Sequence, residues 1–229
     1  MASVLLNKPP AEVEVYNDRD TRLVQLMAVL KWHPQELDRE LDGLLMSRKL
    51  FDYYRDGTGT TDIQRAAQFL YALSFSFGGK GQSFAASKIK GQAVRSVQAI
   101  REMARRVTQR LQTVSVEWLD WEQCIERYDG PETFFFCDPP YLGTEGYEVP
   151  FGEREQIALA ARLRSIKGKF LMTNSDNRGV RDLYRGLPMK VVRGHLSIER
   201  SHKRALRHLI VTNYEIGKAW RPDALEVDA

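Results

Sequence analysis

Four consecutive residues, Asp138, Pro139, Pro140 and Tyr141, form the most chemically informative pattern in this sequence. They follow an apolar run, residues 133–137, that predicts a buried strand, and the two prolines end that strand and fix the backbone direction. Open α/β sheets bind their ligands at the carboxyl ends of their strands. The tetrad therefore suits one task well, which is holding the exocyclic amine of an adenine that has left the base stack.

The amine of adenine is a poor nucleophile because its lone pair is delocalised into the ring. A carboxylate and a backbone carbonyl that accept its two hydrogens push the nitrogen towards a tetrahedral geometry, and Asp138 with the carbonyl of Pro139 can do this. Tyr141 offers an aromatic face on which the base can stack. This chemistry needs no covalent intermediate, so we expect Cys137 to lie in the core. The structural alternative is a strand-to-loop turn with a capping aspartate.

Two further acids stand where predicted strands end. Asp18 follows the alternating residues 12–18 and precedes a helix, a place where an acid binds ribose hydroxyls in nucleotide-binding sheets. Simple helix capping explains Asp18 equally well. Asp120 and Trp121 follow a short predicted strand, so the acid can accept an adenine amino hydrogen while the indole packs on the ring. A capping acid beside a core tryptophan remains the simpler explanation of that pair alone.

A glycine-rich turn between aromatic residues, at 75–84, suggests contact with DNA. It is not a Walker A loop, because Gly81 stands where a serine or threonine must follow the lysine. We expect Phe77 to enter a duplex where a base leaves, and Lys80 to contact phosphate. A tight turn between two helices is the alternative.

Two basic regions also suit the DNA backbone, although a solvated basic face is the alternative for both. One is the face of a long predicted helix, residues 88–111, opposite its apolar stripe. The other is the run at 200–208, which includes Lys203. The arginines of the helical face are Arg95, Arg101, Arg105, Arg106 and Arg110.

The composition fits one large folded domain, or one domain with an insertion. The 229 residues are 43% hydrophobic and 28% charged, and the net charge of +4 leans mildly towards a polyanionic partner. Two cysteines without a CxxC or HExxH pattern favour a reduced, cytoplasmic protein and argue against a metal site. The first residues lack the basic start and long apolar stretch of a signal peptide, and we expect no stretch to be long and apolar enough to span a membrane.

Predicted strands alternate with predicted helices, which indicates a mostly parallel sheet covered on both faces. Helix starts are predicted at Asp20, at Pro34, and at Thr61 or Asp62. The helix-rich stretch 36–111 interrupts the alternation and is a candidate insertion. The predicted strands are residues 12–18, 114–116, 133–137, 169–174, 190–192 and 208–214.

These features, in this order, resemble the Dam-type DNA adenine-N6 methyltransferases, including phage-borne members. Residues 2–7 resemble the helix after the cofactor loop, 16–18 the ribose-binding strand end, and 120–121 the adenine-binding pair. Residues 138–141 match the catalytic motif, and 208–214 resemble the closing strand. The resemblance covers nearly the whole chain.

The resemblance implies an α/β fold with a Rossmann-like S-adenosylmethionine-dependent sheet, formed by residues 1–35 and 112–229, and a helical target-recognition insertion at 36–111. It also implies S-adenosylmethionine as cofactor, double-stranded DNA as partner, and a bacterial or phage-infected cytoplasm. The implied cofactor-binding residues are Asp18, Asp120, Trp121 and Asp138. The implied DNA-binding residues are Phe77, Lys80, Gln82, Arg105 and Lys203.

The chain departs from this family in two places. The family's first central strand and its Phe-x-Gly-x-Gly loop should lie just before Ala2, so we expect that strand to be missing from these residues. An upstream start, a truncated prophage gene, or another element in the gap would each account for this. Gln82 and Ser83 stand where a base-reading arginine is expected, which argues against assuming a GATC target.

Three functions follow from these patterns. The first is site-specific methylation of the N6 amine of a flipped adenine in double-stranded DNA. The alternative is a catalytically inactive DNA-binding remnant of such an enzyme. A third possibility keeps the reaction but changes the acceptor to cytosine N4 or a protein glutamine; related tetrads for those acceptors usually begin with serine or asparagine, so Asp138 favours adenine.

Overall fold

The computed structural model describes residues 3–57, 59–76, 79, 81–85, 96–141, 151–194 and 206–217. The chain divides into two compact units, Met1–Asp120 and Trp121–Ala229, and each has its own hydrophobic core. None of the helices in the described ranges is both long and apolar enough to cross a membrane.

The first unit is mainly helical, with one pair of parallel strands in which Asn17 lies opposite Glu117. The predicted helix starts are confirmed: Asp20 caps α2 by accepting from the backbone of Arg22, and Thr61 caps α5. The elements are α1 Ser3–Asn7, β1 Glu14–Asn17, α2 Thr21–Trp32, α3 Pro34–Leu41, α4 Arg48–Arg55, α5 Asp62–Ser74, α6 Val97–Leu111 and β2 Val114–Glu117.

The prediction of one continuous helix over 88–111 is wrong, because α6 begins at Val97 and Ser96 before it is not helical; residues 88–95 lie outside the described residues. Ser96 precedes it in an extended conformation, with φ −116° and ψ 155°, and its hydroxyl accepts from the backbone N–H of Ala99. A serine before an apolar stripe is a typical N-cap. Helix α4 was not predicted, because Phe51 is its one buried side chain and its apolar stripe is therefore too narrow to be recognised in the sequence.

The helices α2 to α6 and both strands of the first unit share one core, to which α2 contributes five buried residues. The helices of the predicted insertion, 36–111, therefore pack with residues of the predicted catalytic part. Fully buried Tyr71 joins α5 to the segment before α4: its hydroxyl donates to the carbonyl of Leu45 at 2.7 Å and accepts from the N–H of Ser47 at 3.0 Å.

A buried ion pair anchors β1 to α6. Both oxygens of Glu14 accept from the guanidinium of Arg110, at 2.6 and 2.7 Å, and Lys8 also pairs with Glu14. Arg110 is the main reason why the pKa of Glu14 falls to about 2, although burial opposes the shift. The bidentate pair thus fixes the strand that leads to Asp18 against the longest helix of this unit.

The second unit is a four-stranded sheet with helices, in the strand order β3-β4-β6-β5. Strands β3 and β4 are parallel, whereas β6 runs antiparallel to both β4 and β5. The elements are α7 Trp121–Tyr128, β3 Phe134–Cys137, α8 Glu153–Ser165, β4 Lys169–Ser175, α9 Arg178–Leu183, β5 Met189–Gly194 and β6 Leu206–Thr212.

The expectation of a mostly parallel sheet is wrong for this unit, because two of its three strand pairs are antiparallel. Residues 195–205 join β5 to β6, and this connection is shorter than a parallel crossover usually needs. Helix α7 was not predicted either; Ile125 is its one buried residue, so its periodicity is weak.

Strand β3 is less buried than its apolar sequence predicts. Phe135 and Cys137 pack against the core of the second unit, but Phe134 is 54% exposed and Phe136 is 41% exposed. Successive side chains of a strand point to opposite faces, so a continuous apolar run does not reveal which face is covered. The strand predicted to be buried is therefore partly buried on one face and exposed on the other.

We expect Arg110→Met to lower the free energy of unfolding by about 3 kcal/mol, because the buried Glu14 carboxylate loses its bidentate partner. Arg106→Met, on an exposed position of the same helix, is the control and should change it by less than about 0.5 kcal/mol. Urea unfolding of both variants measures the difference. Equal free energies of unfolding for the two variants would show that the Glu14–Arg110 pair contributes little to stability.

Glu14 also predicts a dependence of stability on pH. Its folded pKa of about 2 lies below the 4.5 of an unperturbed glutamate, so the unfolded chain takes up the proton more readily. The stabilisation is complete above pH 4.5 and is lost as pH falls towards 2. The difference in unfolding free energy between wild type and Glu14→Gln should therefore shrink as the pH is lowered from 5 to 3 in urea titrations. A constant difference would contradict this.

Candidate active site

The tetrad Asp138, Pro139, Pro140 and Tyr141 directly follows β3 in the second unit and lies outside regular secondary structure. Cys137 stands opposite Met172 in the parallel pair of β3 and β4, so the residue after each is brought together. The hydroxyl of Thr173 on β4 donates to Oδ1 of Asp138. An ionised carboxylate has about four acceptor positions, so this contact leaves Asp138 capacity to accept further hydrogens.

Two other tetrad residues bind neighbouring side chains. The carbonyl of Pro140 accepts from Nε2 of Gln156 at 2.8 Å, and Oε1 of Gln156 accepts from Nδ2 of Asn174 at 3.1 Å. Gln156 and Asn174 are both fully buried. The hydroxyl of Tyr141 makes a 3.0 Å hydrogen bond with Nδ1 of His208 on β6. Gln156 and Asn174 were not predicted as site residues, because the fold brings them to the tetrad, Gln156 directly and Asn174 through Gln156. His208 belongs to the run 200–208 that was predicted to contact the DNA backbone, and its hydrogen bond to Tyr141 was not predicted.

Cys137 packs with the core of the second unit, as predicted. Burial, as the largest cause, raises the pKa of its thiol to about 12. A thiol with so high a pKa is protonated at neutral pH and is a poor nucleophile. The buried, protonated thiol of Cys137 is therefore consistent with a reaction that forms no covalent intermediate on the protein.

Asp18 lies at the end of β1 in the first unit and does not cap α2, because Asp20 does. Oδ2 of Asp18 accepts from the hydroxyl of Tyr16 at 2.9 Å, and Oδ1 accepts from the N–H of Asp20 at the same distance. Burial, followed by the charge of Asp18, raises the pKa of Tyr16 above its usual range, so Tyr16 stays a donor. Asp18 is therefore a carboxylate held in a fixed orientation at a strand end.

Asp120 follows β2, the parallel neighbour of β1, so Asp18 and Asp120 stand at the same edge of this strand pair. Between them, the side chain of Asn17 donates to the carbonyl of Leu119 at 3.1 Å and accepts from its N–H at 2.8 Å. The two strand ends are thus tied together. Carboxylates at this edge have the chemistry to accept from ribose hydroxyls and from an adenine amine.

Trp121 is the first residue of α7 in the second unit, where it packs against Phe151 with ring centroids 6.5 Å apart. A second tryptophan, which was not predicted as a site residue, lies beside the strand ends of the first unit. Trp118 is 54% exposed, and the guanidinium of Arg19 lies 5.1 Å from its ring centroid. Its indole N–H also donates to the carbonyl of Arg19 at 3.3 Å.

The predicted DNA-binding residues are described only in part. Phe77, Lys80 and Lys203 lie outside the described residues. Gln82 is exposed in a turn that the antiparallel bridge between Ser76 and Phe84 closes. Their DNA contacts stay predictions.

Three arginines of the predicted basic face, Arg101, Arg105 and Arg110, bind acids of their own unit, whereas Arg95 lies outside the described residues. Arg105 is 54% exposed and contacts Asp38 at 3.1 Å. Arg101 pairs with both Asp38 and Asp42, and it is the main cause that lowers the pKa of Asp38 to about 2. Arg110 is bound to Glu14. Any DNA contact of Arg105 must therefore compete with an ion pair already made.

Two other features bear on the location of the site. Among the described residues, no cluster of three His, Cys, Asp or Glu side chains could hold a metal ion. A groove of about 560 Å³ is lined by residues 186–190 and 215–217, and none of the predicted site residues lines it.

Comparison with known proteins identifies the family of the chain. A search among curated proteins returned no match to the chain. The family model of D12 class N6 adenine-specific DNA methyltransferases matches residues 2–201, a range that contains Asp18, Asp120 and the tetrad. This match spans most of the 229 residues. The chain therefore belongs to the D12 class N6 adenine-specific DNA methyltransferase family.

Proposed function

We propose that this chain transfers a methyl group from S-adenosylmethionine to the N6 amine of an adenine flipped out of double-stranded DNA. The observation that carries the proposal is the anchored tetrad at the carboxyl end of β3. Thr173 fixes the carboxylate of Asp138, and buried Gln156 fixes the carbonyl of Pro140. Family membership supports the same acceptor atom.

In this proposal the tetrad activates the amine by accepting its two hydrogens. Asp138 accepts one of them. The carbonyl of Pro140 already accepts from Gln156, so the carbonyl of Pro139 is assigned to the other. The nitrogen lone pair, released from the ring, then forms the new bond to the methyl carbon. The amine gives up one proton, for which Asp138 is the assigned acceptor, and Tyr141 provides the stacking surface for the base.

The first unit offers a fit for the cofactor. Asp18 and Asp120 stand at one edge of the β1–β2 pair, and the hydroxyl of Tyr16 orients the Asp18 carboxylate. We assign the ribose hydroxyls to Asp18 and the adenine amine to Asp120; Trp121 and Asp138 stay predicted cofactor contacts. When bound, S-adenosylmethionine would supply a methyl group on a positively charged sulfur, which is a good leaving group because it departs as a neutral thioether with the electron pair of the broken C–S bond.

The direct test is to incubate the 229-residue protein with unmethylated plasmid DNA and isotopically labelled S-adenosylmethionine. Mass spectrometry of the digested nucleosides should show labelled N6-methyladenine. Labelled N4-methylcytosine would instead show that the methyl acceptor is the N4 amine of cytosine. Salt-sensitive DNA binding without any methylated product would instead support the inactive remnant.

We expect Asp138→Ala to lower the methylation rate by about 100-fold or more, because the amine loses its charged acceptor. DNA affinity, measured by fluorescence anisotropy, should change by less than about threefold, since the carboxylate acts on the reacting amine. Glu132→Ala, which removes an exposed acid just before β3, is the control and should keep the wild-type rate. Unchanged methylation by Asp138→Ala would refute the assignment.

Cys137→Ala should retain a methylation rate within about threefold of wild type, because the proposed reaction forms no bond to sulfur. In the wild-type protein, a thiol pKa of about 12 also predicts slow alkylation of Cys137 by iodoacetamide at pH 8. Peptide mapping after alkylation would measure this, with the unfolded protein as the reactive reference. An inactive but folded Cys137→Ala variant would point to a covalent role for the thiol.

A further inference from the structure

We propose that Thr173, Gln156 and His208 form a positioning set that holds the catalytic tetrad in its reactive geometry. This inference rests on the proposed function and deepens it. Each of the three side chains makes a hydrogen bond to a different tetrad residue: Thr173 to Asp138, Gln156 to Pro140, and His208 to Tyr141. None of them is assigned to touch the methyl donor or the base.

The need for such a set follows from the prolines. Pro139 and Pro140 have no N–H, so the backbone between Asp138 and Tyr141 cannot donate to a neighbouring strand. The four residues also lie outside any strand. Side-chain hydrogen bonds from adjacent elements are then the available means of fixing carbonyls and carboxylates in this segment.

Gln156 is the clearest example of a side chain that holds the tetrad, because it is polar and yet lies at a fully buried position of α8. Leu159 and Leu163 are its buried neighbours on that helix, so an apolar residue would suit packing alone. Both ends of its amide are used, one by Pro140 and the other by Asn174. A buried amide satisfied in this way is specific for one arrangement of its partners.

The chemistry of the partners also fixes which way the amide faces. The carbonyl of Pro140 can only accept, so Gln156 must present its NH₂ group there and its oxygen to Asn174. The oxygen of Asn174 in turn accepts from the N–H of Ser175 at 2.8 Å. The backbone of β4 thus orients the side chain of Asn174, and Asn174 in turn orients the amide of Gln156.

The other two members of the set also stand on strands. Thr173 lies on β4, one residue beyond the pairing of Cys137 with Met172, which places its hydroxyl beside Asp138. His208 lies on β6 between the neighbouring strands, opposite Ser175 of β4 and Val192 of β5. Functional groups held by strands are placed more accurately than groups held by loops alone.

Positioning predicts a particular kinetic signature. A displacement of a reacting group by about 1 Å can cost roughly 100-fold in rate, whereas binding of the rest of the substrate is unaffected. Loss of a member of the set should therefore lower the rate of methyl transfer at saturating DNA and cofactor. The dissociation constants for DNA and for S-adenosylmethionine should stay near those of the wild type.

The test uses substitutions that keep size and remove the hydrogen bond: Thr173→Val, Gln156→Met and His208→Phe. Each should lower the single-turnover rate of N6-adenine methylation on plasmid DNA by about tenfold or more, with less than about threefold change in either dissociation constant. Melting temperatures and circular dichroism identify the folded variants. Thr173 and His208 are only partly buried, so their variants decide the question even where Gln156→Met does not fold.

Asn213→Leu is the matched control. Its amide also makes two hydrogen bonds next to β4, accepting from the N–H of Phe170 at 3.0 Å and donating to the carbonyl of Gly168 at 2.9 Å. These contacts lie at the start of β4, whereas Asp138 is bound near its end. The control should lower the melting temperature and keep the wild-type single-turnover rate.

A double-mutant cycle distinguishes an effect of His208 through Tyr141 from a general loss of structure. If His208 acts through the hydroxyl of Tyr141, then Tyr141→Phe and His208→Phe together should cost no more than the larger single effect. Wild-type rates in folded Thr173→Val and His208→Phe would overturn the positioning set and leave the methyltransferase proposal standing. A wild-type protein that forms no N6-methyladenine would overturn both proposals.

Discussion

Pro139 and Pro140 have no backbone N–H groups, and this constraint determines how the second unit must hold the tetrad in place. A segment of this kind gains rigidity from its fixed φ angles, but it cannot join the ladder of a neighbouring strand. Its carbonyls and carboxylate must therefore be held by donors that come from elsewhere. The parallel pairing of β3 with β4 brings Thr173 to Asp138, and α8 brings Gln156 to Pro140. The strand order places β6, with His208, next to β4.

In the first unit, too, an acid that follows a strand must be held in a fixed orientation, but different groups hold it. Asp18 lies just past β1, where its backbone N–H still donates to the carbonyl of Glu117 at 3.4 Å. The Tyr16 hydroxyl and the Asp20 N–H hold the two oxygens of its carboxylate. Asn17 ties the end of β1 to Leu119, and the buried Glu14–Arg110 pair anchors the start of the same strand. In both units an acid at a strand end is oriented by short-range contacts. Pre-orientation of this kind lowers the reorganisation that ligand binding or catalysis would otherwise require.

Local chemistry was predictable from the sequence, whereas long-range contacts were not. Caps such as Asp20 and Thr61 and the strand before Asp138 depend on neighbouring residues, so short patterns reveal them. The exposure of Phe134 and the antiparallel direction of β6 depend on which elements pack together. Gln156 and Asn174 are 18 residues apart, and nothing in the spacing of either residue indicates that they share a buried hydrogen bond. The tetrad itself was found, but the side chains that hold it were not.

The arginines of α6 show why counting charges overstates attraction to DNA. The formal net charge is +4, and the helix looks like a basic face in the sequence. In the folded unit, however, Arg101 and Arg105 bind Asp38, and Arg110 binds Glu14. Cations that are paired within the protein release fewer counterions from DNA than unpaired ones, because part of their charge is already neutralised. These arginines join α6 to α3 and β1, so their first role is to stabilise the first unit. Attraction to the phosphate backbone must therefore depend on basic side chains that these acids do not neutralise.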